Sequence, residues 1–565
     1  MKRIISLVFS LGACAFLFLF GYSQLSCLWV EYGHTSSRLF LVEYPLVFSI
    51  ALLFFFPTRN SQGKVAWSLL TPFAPILGLY VLFDLFYLHL NRTPKISDLK
   101  SIPDLFRVSP VMVFSLAGIA LAAFLPVLLA FWGWLRQATA RDVAGVLAAK
   151  AAIPILIVLA FNSAVLYNFQ KCNAGRGPIR AQYDVKRYGR LASLQFFHSH
   201  AFLQMKRLRD HPEAAHYRVG DYFWKETLAE KRNVHIIVLE SFIDARRIHG
   251  ADYGALSPVS SELNQYLVRE GTFSRDISPI YGGGTCQAEF ELLTGLPALS
   301  LIENYEFLCL NGSPVDSFIN RLKQNGYRAV ATIGASSKFF NSKNAYKSIG
   351  FDEVHFEDDD PYFSSAPGDT NIFDGDLLDA DAERLERRWL TRDKGHPVVN
   401  YVLGFYGHCP IRRDSNKERP DAIHLKGEIA EVGYMANQFY YRTKAVARFL
   451  ARLATMDPDS VVLVISDHLP FPPASAIQYD GDKRDNITIL LDRFRPLDVS
   501  GKHYYEIPHV LWKLLGNDPD PLHIDTVSPQ ALENLNCVLM MEGMGLRPRE
   551  ARMSLEIAAS PARHR

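Results

Sequence analysis

The sequence predicts an α/β domain with a mostly parallel sheet, carried behind five transmembrane helices. Two observations predict this. Residues 1–169 contain five long apolar runs. From Asn233 onward the pattern becomes short β-branched runs separated by amphipathic stretches. The totals of a 565-residue chain hide the split: Lys plus Arg is 60, Asp plus Glu is 58, and the formal net charge is +2. Near neutrality excludes a strongly basic nucleic-acid binder and a polyelectrolyte chain.

A spanning helix needs ~20 mostly apolar residues. The runs at 4–30 and 108–135 carry no charge. The runs at 39–58, 65–90 and 143–169 carry one charge each: Glu43, Asp84 and Lys150. These three either line a polar path or sit near span ends and pair within the bundle. Lys2 and Arg3 ahead of the first run resemble a signal peptide, and Leu11-Gly12-Ala13-Cys14 hints at a lipoprotein cleavage site. The run continues well past Cys14, which favours an uncleaved span. The loop Asn91-Arg92-Thr93-Pro94-Lys95 is a candidate for contact with lipid headgroups. With the N-terminus inside, inner segments hold Lys2, Arg3, Arg59, Lys64, Arg136 and Arg141, and outer loops hold Arg38, Arg92, Lys95, Lys100 and Arg107. Six against five barely sets an orientation. Basic residues after Phe169 favour an inner soluble domain, whereas five spans place it outside.

Residues 170–232 read as a helical connector along the membrane surface. The strands expected next are 234–239, 329–333, 398–403, 461–465 and 486–491, within a domain spanning 233–532. Residues 533–565 are a tail without assignment. In open parallel sheets, ligands gather beyond the carboxyl ends of the strands. The first strand is followed by Glu240-Ser241, the third by Gly404-Phe405-Tyr406-Gly407-His408, and the fourth by Ser466-Asp467-His468. Asp, Glu and His together suit zinc or manganese. Between the first two strands, Tyr281-Gly282-Gly283-Gly284-Thr285 leads into a helix start, where backbone N–H groups meet an anion. A metal at the Thr285 oxygen would make this poor nucleophile competent. Each piece alone has a plain structural reading: a glycine turn, a capped helix, a surface glutamate. The order of all four is what points to a site.

That order resembles the alkaline phosphatase/sulfatase superfamily, and within it the membrane-bound phosphotransferases: lipoteichoic acid synthase, the phosphoglycerol transferases of periplasmic glucans, and the lipid A phosphoethanolamine transferases. The resemblance implies an alkaline phosphatase/sulfatase-like α/β sandwich, with Thr285 as nucleophile. It implies a divalent metal, manganese or zinc, held by Glu240, Thr285, Asp467 and His468. His408 in Tyr-Gly-His-Cys-Pro matches a substrate-side histidine, and 506–511 resembles the superfamily's closing helix. Leu239-Glu240-Ser241-Phe242, Ala288-Glu289-Phe290 with Gly295-Leu296-Pro297, and 344–352 resemble the phosphoglycerol branch. Phe340 and Ser342 stand where those relatives carry tryptophan and arginine, and Leu469-Pro470 replaces a glycine or Tyr-Gly. Cys286-Gln287-Ala288-Glu289 is not the Cys-x-Pro-x-Arg of a true sulfatase.

The expectation is therefore a metal-dependent transferase that moves phosphoglycerol from a membrane phospholipid, phosphatidylglycerol, to a hydroxyl of an envelope glycan or glycolipid. A phospho-threonine is the expected intermediate. The chain would sit in a bacterial inner membrane with its catalytic domain facing the periplasm. Phosphoethanolamine as cargo and a degenerate scaffold are the alternatives. Lys338, Asn341 and Lys343 are candidate phosphate contacts, and His355, His396 and His503 read as structural. Among seven cysteines, Cys286 and Cys409 each follow a proposed site residue.

Overall fold

The computed structural model describes residues 2–26, 37–56, 68–90, 110–136, 189–194, 218–224 and 228–546, the last with short gaps, together with a few isolated positions. It forms two compact units, Met1–Gln204 and Met205–Arg565.

In the first unit, four apolar helices are described: α1 (Lys2–Ser26), α2 (Ser37–Phe54), α3 (Phe73–Leu90) and α4 (Pro110–Leu135). Three segments are long and apolar enough to cross a membrane: Phe9–Ser26, Ser68–Leu88 and Val113–Leu135. The segment Glu43–Phe54 of α2 is apolar but shorter. Among the described residues, three helices thus qualify where five spans are expected. The fifth run, with Lys150, lies outside the described residues, as does most of the 91–95 loop.

The two acidic residues of the spans are partnered within this unit. Glu43, fully buried, accepts the backbone N–H groups of Leu191 and Ala192 at 2.8 Å each. A carboxylate there caps the start of the short helix at 190–194, where N–H groups have no partner in the helix itself. Gly189, at φ +101°, leaves no room for a Cβ, which would lie 2.4 Å from the Glu43 carboxyl carbon. Asp84 takes a bidentate pair from Arg190 at 2.6 and 2.8 Å, and the Tyr22 hydroxyl donates to it at 2.9 Å. Of the two readings for Glu43 and Asp84, pairing within the bundle is the one observed.

In the second unit a seven-stranded sheet has the order β3-β2-β4-β1-β5-β6-β7. The strands are β1 (Val234–Leu239), β2 (Arg328–Ile333), β3 (Glu353–Phe356), β4 (Val398–Gly404), β5 (Val461–Ser466), β6 (Thr488–Asp492) and β7 (Arg495–Leu497). β1 to β5 pair in parallel, while β6 and β7 close one edge antiparallel. β1, β4 and β5 are buried at every residue. That is why they read as unbroken apolar runs rather than alternating ones: both faces of the sheet are covered.

Successive side chains serve opposite layers. Val234, Ile236 and Val238 join a core with α5 (Thr285–Thr294), α6 (Phe318–Gln324), α7 (Ser342–Ile349) and α10 (Ile507–Leu515). Ile237 and Leu239 join the other, with α8 (Asp374–Arg384) and α9 (Ala430–Met456). A last helix, α11 (Pro529–Gly543), starts at a Ser528 cap and places Leu535, Leu539 and Met540 in the first of these cores. It runs through position 532, so the segment expected to be a tail begins inside a packed helix. Its Asn536 donates to the Pro297 carbonyl at 2.9 Å.

Candidate active site

Parallel register brings three strand ends level: Leu239 pairs with Gly404 on one side and with Ser466 on the other. Glu240 and Asp467 therefore leave the sheet side by side, and His468 follows. One ligand atom from each of Glu240, Asp467 and His468 lies within 4.8 Å of the others, and all three residues are buried. His468 Nε2 is 3.3 Å from Asp467 Oδ2 and 3.4 Å from Glu240 Oε1.

Thr285 joins them from the opposite loop, its hydroxyl donating to Glu240 Oε2 at 2.7 Å. The glycines are needed for this placement. Gly282, Gly283 and Gly284 have φ of +77°, +150° and +91°, a run that side-chain-bearing residues rarely adopt. A Cβ on Gly282 would sit 2.4 Å from the Phe471 ring. Gly284 is the N-cap of α5, so Thr285 occupies its first turn with the helix dipole's positive end behind it.

The carboxylates are held from outside the cluster. Asp467 Oδ1 accepts the N–H groups of Ser241 and His468, both at 2.7 Å, and Ser241 Oγ donates to Glu240 Oε1 at 3.0 Å. Ser241 keeps φ at +49°, a strained setting for serine. Burial, then the neighbouring Glu240 carboxylate, push the Asp467 carboxyl above the ordinary range.

Two buried atoms of the cluster find no hydrogen-bond partner among the described residues: Asp467 Oδ2 and His468 Nε2. With Nδ1 3.2 Å from the Leu469 carbonyl, the tautomer that donates there leaves a lone pair on Nε2 facing the carboxylates. Two orphaned acceptors, a glutamate and a hydroxyl converging on one point fit a divalent cation. This donor set, of one nitrogen and three oxygens, suits zinc or manganese.

Beneath the cluster lies machinery that sequence reading missed. Arg442 of α9 donates to the Glu240 carbonyl at 2.7 Å and the Ser241 carbonyl at 3.3 Å, and pairs with Asp374 of α8 at 2.6 Å. Both side chains are essentially unexposed. Burial pushes the Asp374 carboxyl up, and Arg442 is the charge that opposes the shift. Gly407 must be glycine, because a Cβ would lie 2.0 Å from the Glu240 carbonyl oxygen. Nothing in the spacing of positions 374, 407 and 442 announces this contact.

Glu289, one turn along α5 from Thr285, receives the hydroxyls of Tyr346 and of Tyr401, the latter at 2.7 Å. Burial pushes it up to about 7. Its i+4 spacing from Thr285 was a legible signal.

His408 follows Gly407 on the same edge, half-buried and stacked on Phe405 with ring centroids 4.5 Å apart. It is not one of the three clustered groups. Asn341 donates to the Phe307 and Leu310 carbonyls, a structural role, and Lys343 is exposed. Lys338 and Cys409 lie outside the described residues. Cys286 is buried. His396 has Nδ1 3.1 Å from the Gly326 carbonyl, and His503 forms the capping box of the turn before α10. His355 lies 3.7 Å from Glu353. In the closing helix, His509 has its Nε2 2.9 Å from the Gly295 carbonyl and stacks on Trp224, and burial lowers it to about 3.

Comparison with known proteins agrees on the region. Residues 232–488 match the family model described as Sulfatase. A Rhizobium meliloti protein, provisionally described as acting in cyclic β-1,2-glucan modification, is 25% identical over 315 residues, 54% of this chain. That match spans 44% of the relative, less than half its length. Among solved structures, the Streptococcus pyogenes phosphoglycerol transferase GacH is 15% identical, covering 64% of this chain and 95% of that one at a TM-score of 0.44. The lipoteichoic acid synthase LtaP of Listeria monocytogenes is 17% identical, covering 56% and 78% at a TM-score of 0.40. Over residues 232–488, a little under half of its length, the chain is similar to the sulfatase family and so to the alkaline phosphatase/sulfatase superfamily.

Proposed function

We propose that this chain is a metal-dependent phosphotransferase that moves phosphoglycerol from phosphatidylglycerol to a hydroxyl of an envelope glycan or glycolipid. It would work from a bacterial inner membrane, with the catalytic domain facing the periplasm. The observation that carries the reading is the convergence of the Thr285 hydroxyl on Glu240 beside two orphaned acceptors, Asp467 Oδ2 and His468 Nε2. Glu240, Thr285, Asp467 and His468 would hold the cation, which when bound lowers the hydroxyl pKa and offsets phosphoryl charge.

The chain's own groups divide the remaining work. Thr285 Oγ1, its proton already directed at Glu240, attacks phosphorus in line. The bond from phosphorus to the diacylglycerol oxygen breaks, and that oxygen takes a proton from His408. Glycerophospho-Thr285 remains. An acceptor hydroxyl then gives its proton to His408 and attacks the same phosphorus. The Thr285 oxygen departs and recovers its proton. The helix start behind Thr285 favours the anionic phosphoryl oxygens throughout. Arg442 fixes the backbone of Glu240 and Ser241, so the cluster keeps its geometry between the two half-reactions. A membrane region would hold the chain in the same bilayer as the lipid donor and its diacylglycerol by-product.

The test is mass spectrometry of the full chain after incubation with phosphatidylglycerol and manganese or zinc. One glycerophosphoryl group on the peptide containing Thr285, absent from Thr285→Ala, is expected. An adduct on another residue, or product formed by Thr285→Ala, overturns the mechanism. An ethanolamine phosphate adduct, seen only with phosphatidylethanolamine, overturns the cargo.

A further inference from the structure

The loop that delivers Thr285 is built from permissive backbone. Gly282, Gly283 and Gly284 all hold positive φ, and no side chain caps the first turn of α5. Glycine reaches many conformations at little steric cost, so such a loop does not by itself fix where the helix starts. The position of Thr285 must be set from further along α5. Three buried polar side chains of that helix are tied to their surroundings. Gln287 donates to Ser300 Oγ at 2.9 Å and accepts the Glu306 N–H at 3.2 Å. Glu291 accepts the N–H groups of Ala298 at 2.8 Å and Tyr505 at 3.1 Å. Both hold neighbouring loops to the helix. Glu289 instead reaches the sheet.

Glu289 Oε1 accepts the hydroxyl of Tyr401 in β4 at 2.7 Å and that of Tyr346 in α7. Both phenols are fully buried, and Phe351 packs against each, with centroids 5.6 Å from Tyr346 and 5.8 Å from Tyr401. Close packing on all sides leaves neither free to follow a moving helix. β4 is hydrogen-bonded to β1 with Tyr401 level with Ile236, and β1 leads into Glu240. Glu289 and Thr285 are four positions apart on one helix face, ~6 Å along the axis at ~1.5 Å per residue. A slip of α5 at Glu289 therefore reaches the Thr285 hydroxyl nearly undiminished. Filling this space needs no carboxyl, because an apolar side chain against two phenylalanines would be about as stable. We infer that Glu289 is a positioning residue: through Tyr401 it ties the helix of Thr285 to the strand beside that of Glu240, and so sets the line along which Thr285 Oγ1 meets phosphorus. This rests on the phospho-threonine part of the proposed function.

The experiment follows adduct formation on Thr285 by quenched mass spectrometry, with the full chain in nanodiscs, manganese and increasing phosphatidylglycerol. In Glu289→Leu the maximal rate should fall at least ~10-fold, since ~1 Å of misplacement costs ~100-fold. The lipid content giving half-maximal rate and the manganese affinity should not change. Glu289→Gln, whose amide oxygen accepts the same two hydroxyls, should recover most of the rate. Tyr401→Phe, which keeps its ring, should show a smaller loss than Glu289→Leu. A side chain that only fills the core would lower the melting temperature and leave the rate of the folded protein alone. Equal maximal rates in the parent and Glu289→Leu, or a loss that Glu289→Gln does not restore, overturn the inference. Hydrogen exchange of the amides at 284–289, read without donor lipid, is independent of the chemistry. Exchange there should quicken in Glu289→Leu and Tyr401→Phe and match the parent in Glu289→Gln. If the parent forms no adduct on Thr285, the proposed mechanism falls; equal exchange in the parent and Tyr401→Phe overturns the positioning role by itself.

Discussion

Replacing Arg442 by methionine tests how the site is held. The guanidinium is buried, pairs with Asp374 at 2.6 Å, and donates to the carbonyls of Glu240 and Ser241. In Arg442→Met, only the Tyr406 backbone N–H still opposes the burial of the Asp374 carboxyl, so it is driven toward the neutral form. Protonating an aspartate of unfolded pKa ~3.9 at pH 7 costs up to ~4 kcal/mol, at ~1.36 kcal/mol per unit. At pH 5 the same step costs ~1.5 kcal/mol. The Glu240 carbonyl, left without its donor, adds ~1–3 kcal/mol at either pH, while that of Ser241 keeps the Ile243 N–H at 3.0 Å. A group with a raised folded pKa loses stability as pH rises, so the variant's deficit relative to the parent must grow from pH 5 to pH 7, by up to ~2.5 kcal/mol. Urea unfolding followed by tryptophan fluorescence reads this, since Trp224 and Trp512 lie in the domain core. Adding Asp374→Asn to Arg442→Met should remove the pH-dependent part and leave the carbonyl part. A single-variant deficit below ~1 kcal/mol at pH 7, or one that is the same at both pH values, refutes this reasoning.

The other predictions concern the same domain. His468→Ala and Glu240→Gln should each lower bound manganese or zinc, measured by elemental analysis after dialysis, by at least ~10-fold in affinity. Gly282→Ala, which meets Phe471 at 2.4 Å, and Gly283→Ala, which meets nothing within 4 Å but is strained at φ +150°, should each reduce adduct formation on Thr285, measured by mass spectrometry. His509, lowered to about 3, stays neutral when folded, so the parent loses stability as pH falls below ~6.5. His509→Gln should therefore lose ~2 kcal/mol less between pH 7 and pH 5 in the same urea assay.

Local pattern carried much of the fold. β1, β2, β4 and β5 were legible to within a residue because they are buried on both faces and made of β-branched and aliphatic residues. β6 was legible as a strand, but its antiparallel direction was not, because direction depends on the connection and not on composition. β3 and β7 escaped: the first is half-exposed, and the second carries Pro496 at a sheet edge, where a missing N–H is tolerated. Apolar runs counted by length gave five spans; among the described residues three helices qualify, one apolar helix is shorter, and the fifth run lies outside them. The helix of 529–543 went unassigned because its apolar stripe makes sense only against the core that Leu535, Leu539 and Met540 join.

The sequence by itself determined which chemical groups end the strands: Glu240, the Asp467-His468 pair, and a threonine entered through three glycines. Strand period and glycine's tolerance of positive φ are local properties, and local properties are written residue by residue. Only the tertiary structure decided that these groups meet. The parallel register sets Leu239, Gly404 and Ser466 at one level, and an arginine more than two hundred positions from Glu240 clamps its carbonyl. It also decided which acids converge with a histidine and a threonine and which do not, turning Glu43 and Asp84 into partners of a short helix. The physical reason is that a buried charge is stable only beside its partner, and partners distant in sequence are brought together by packing alone.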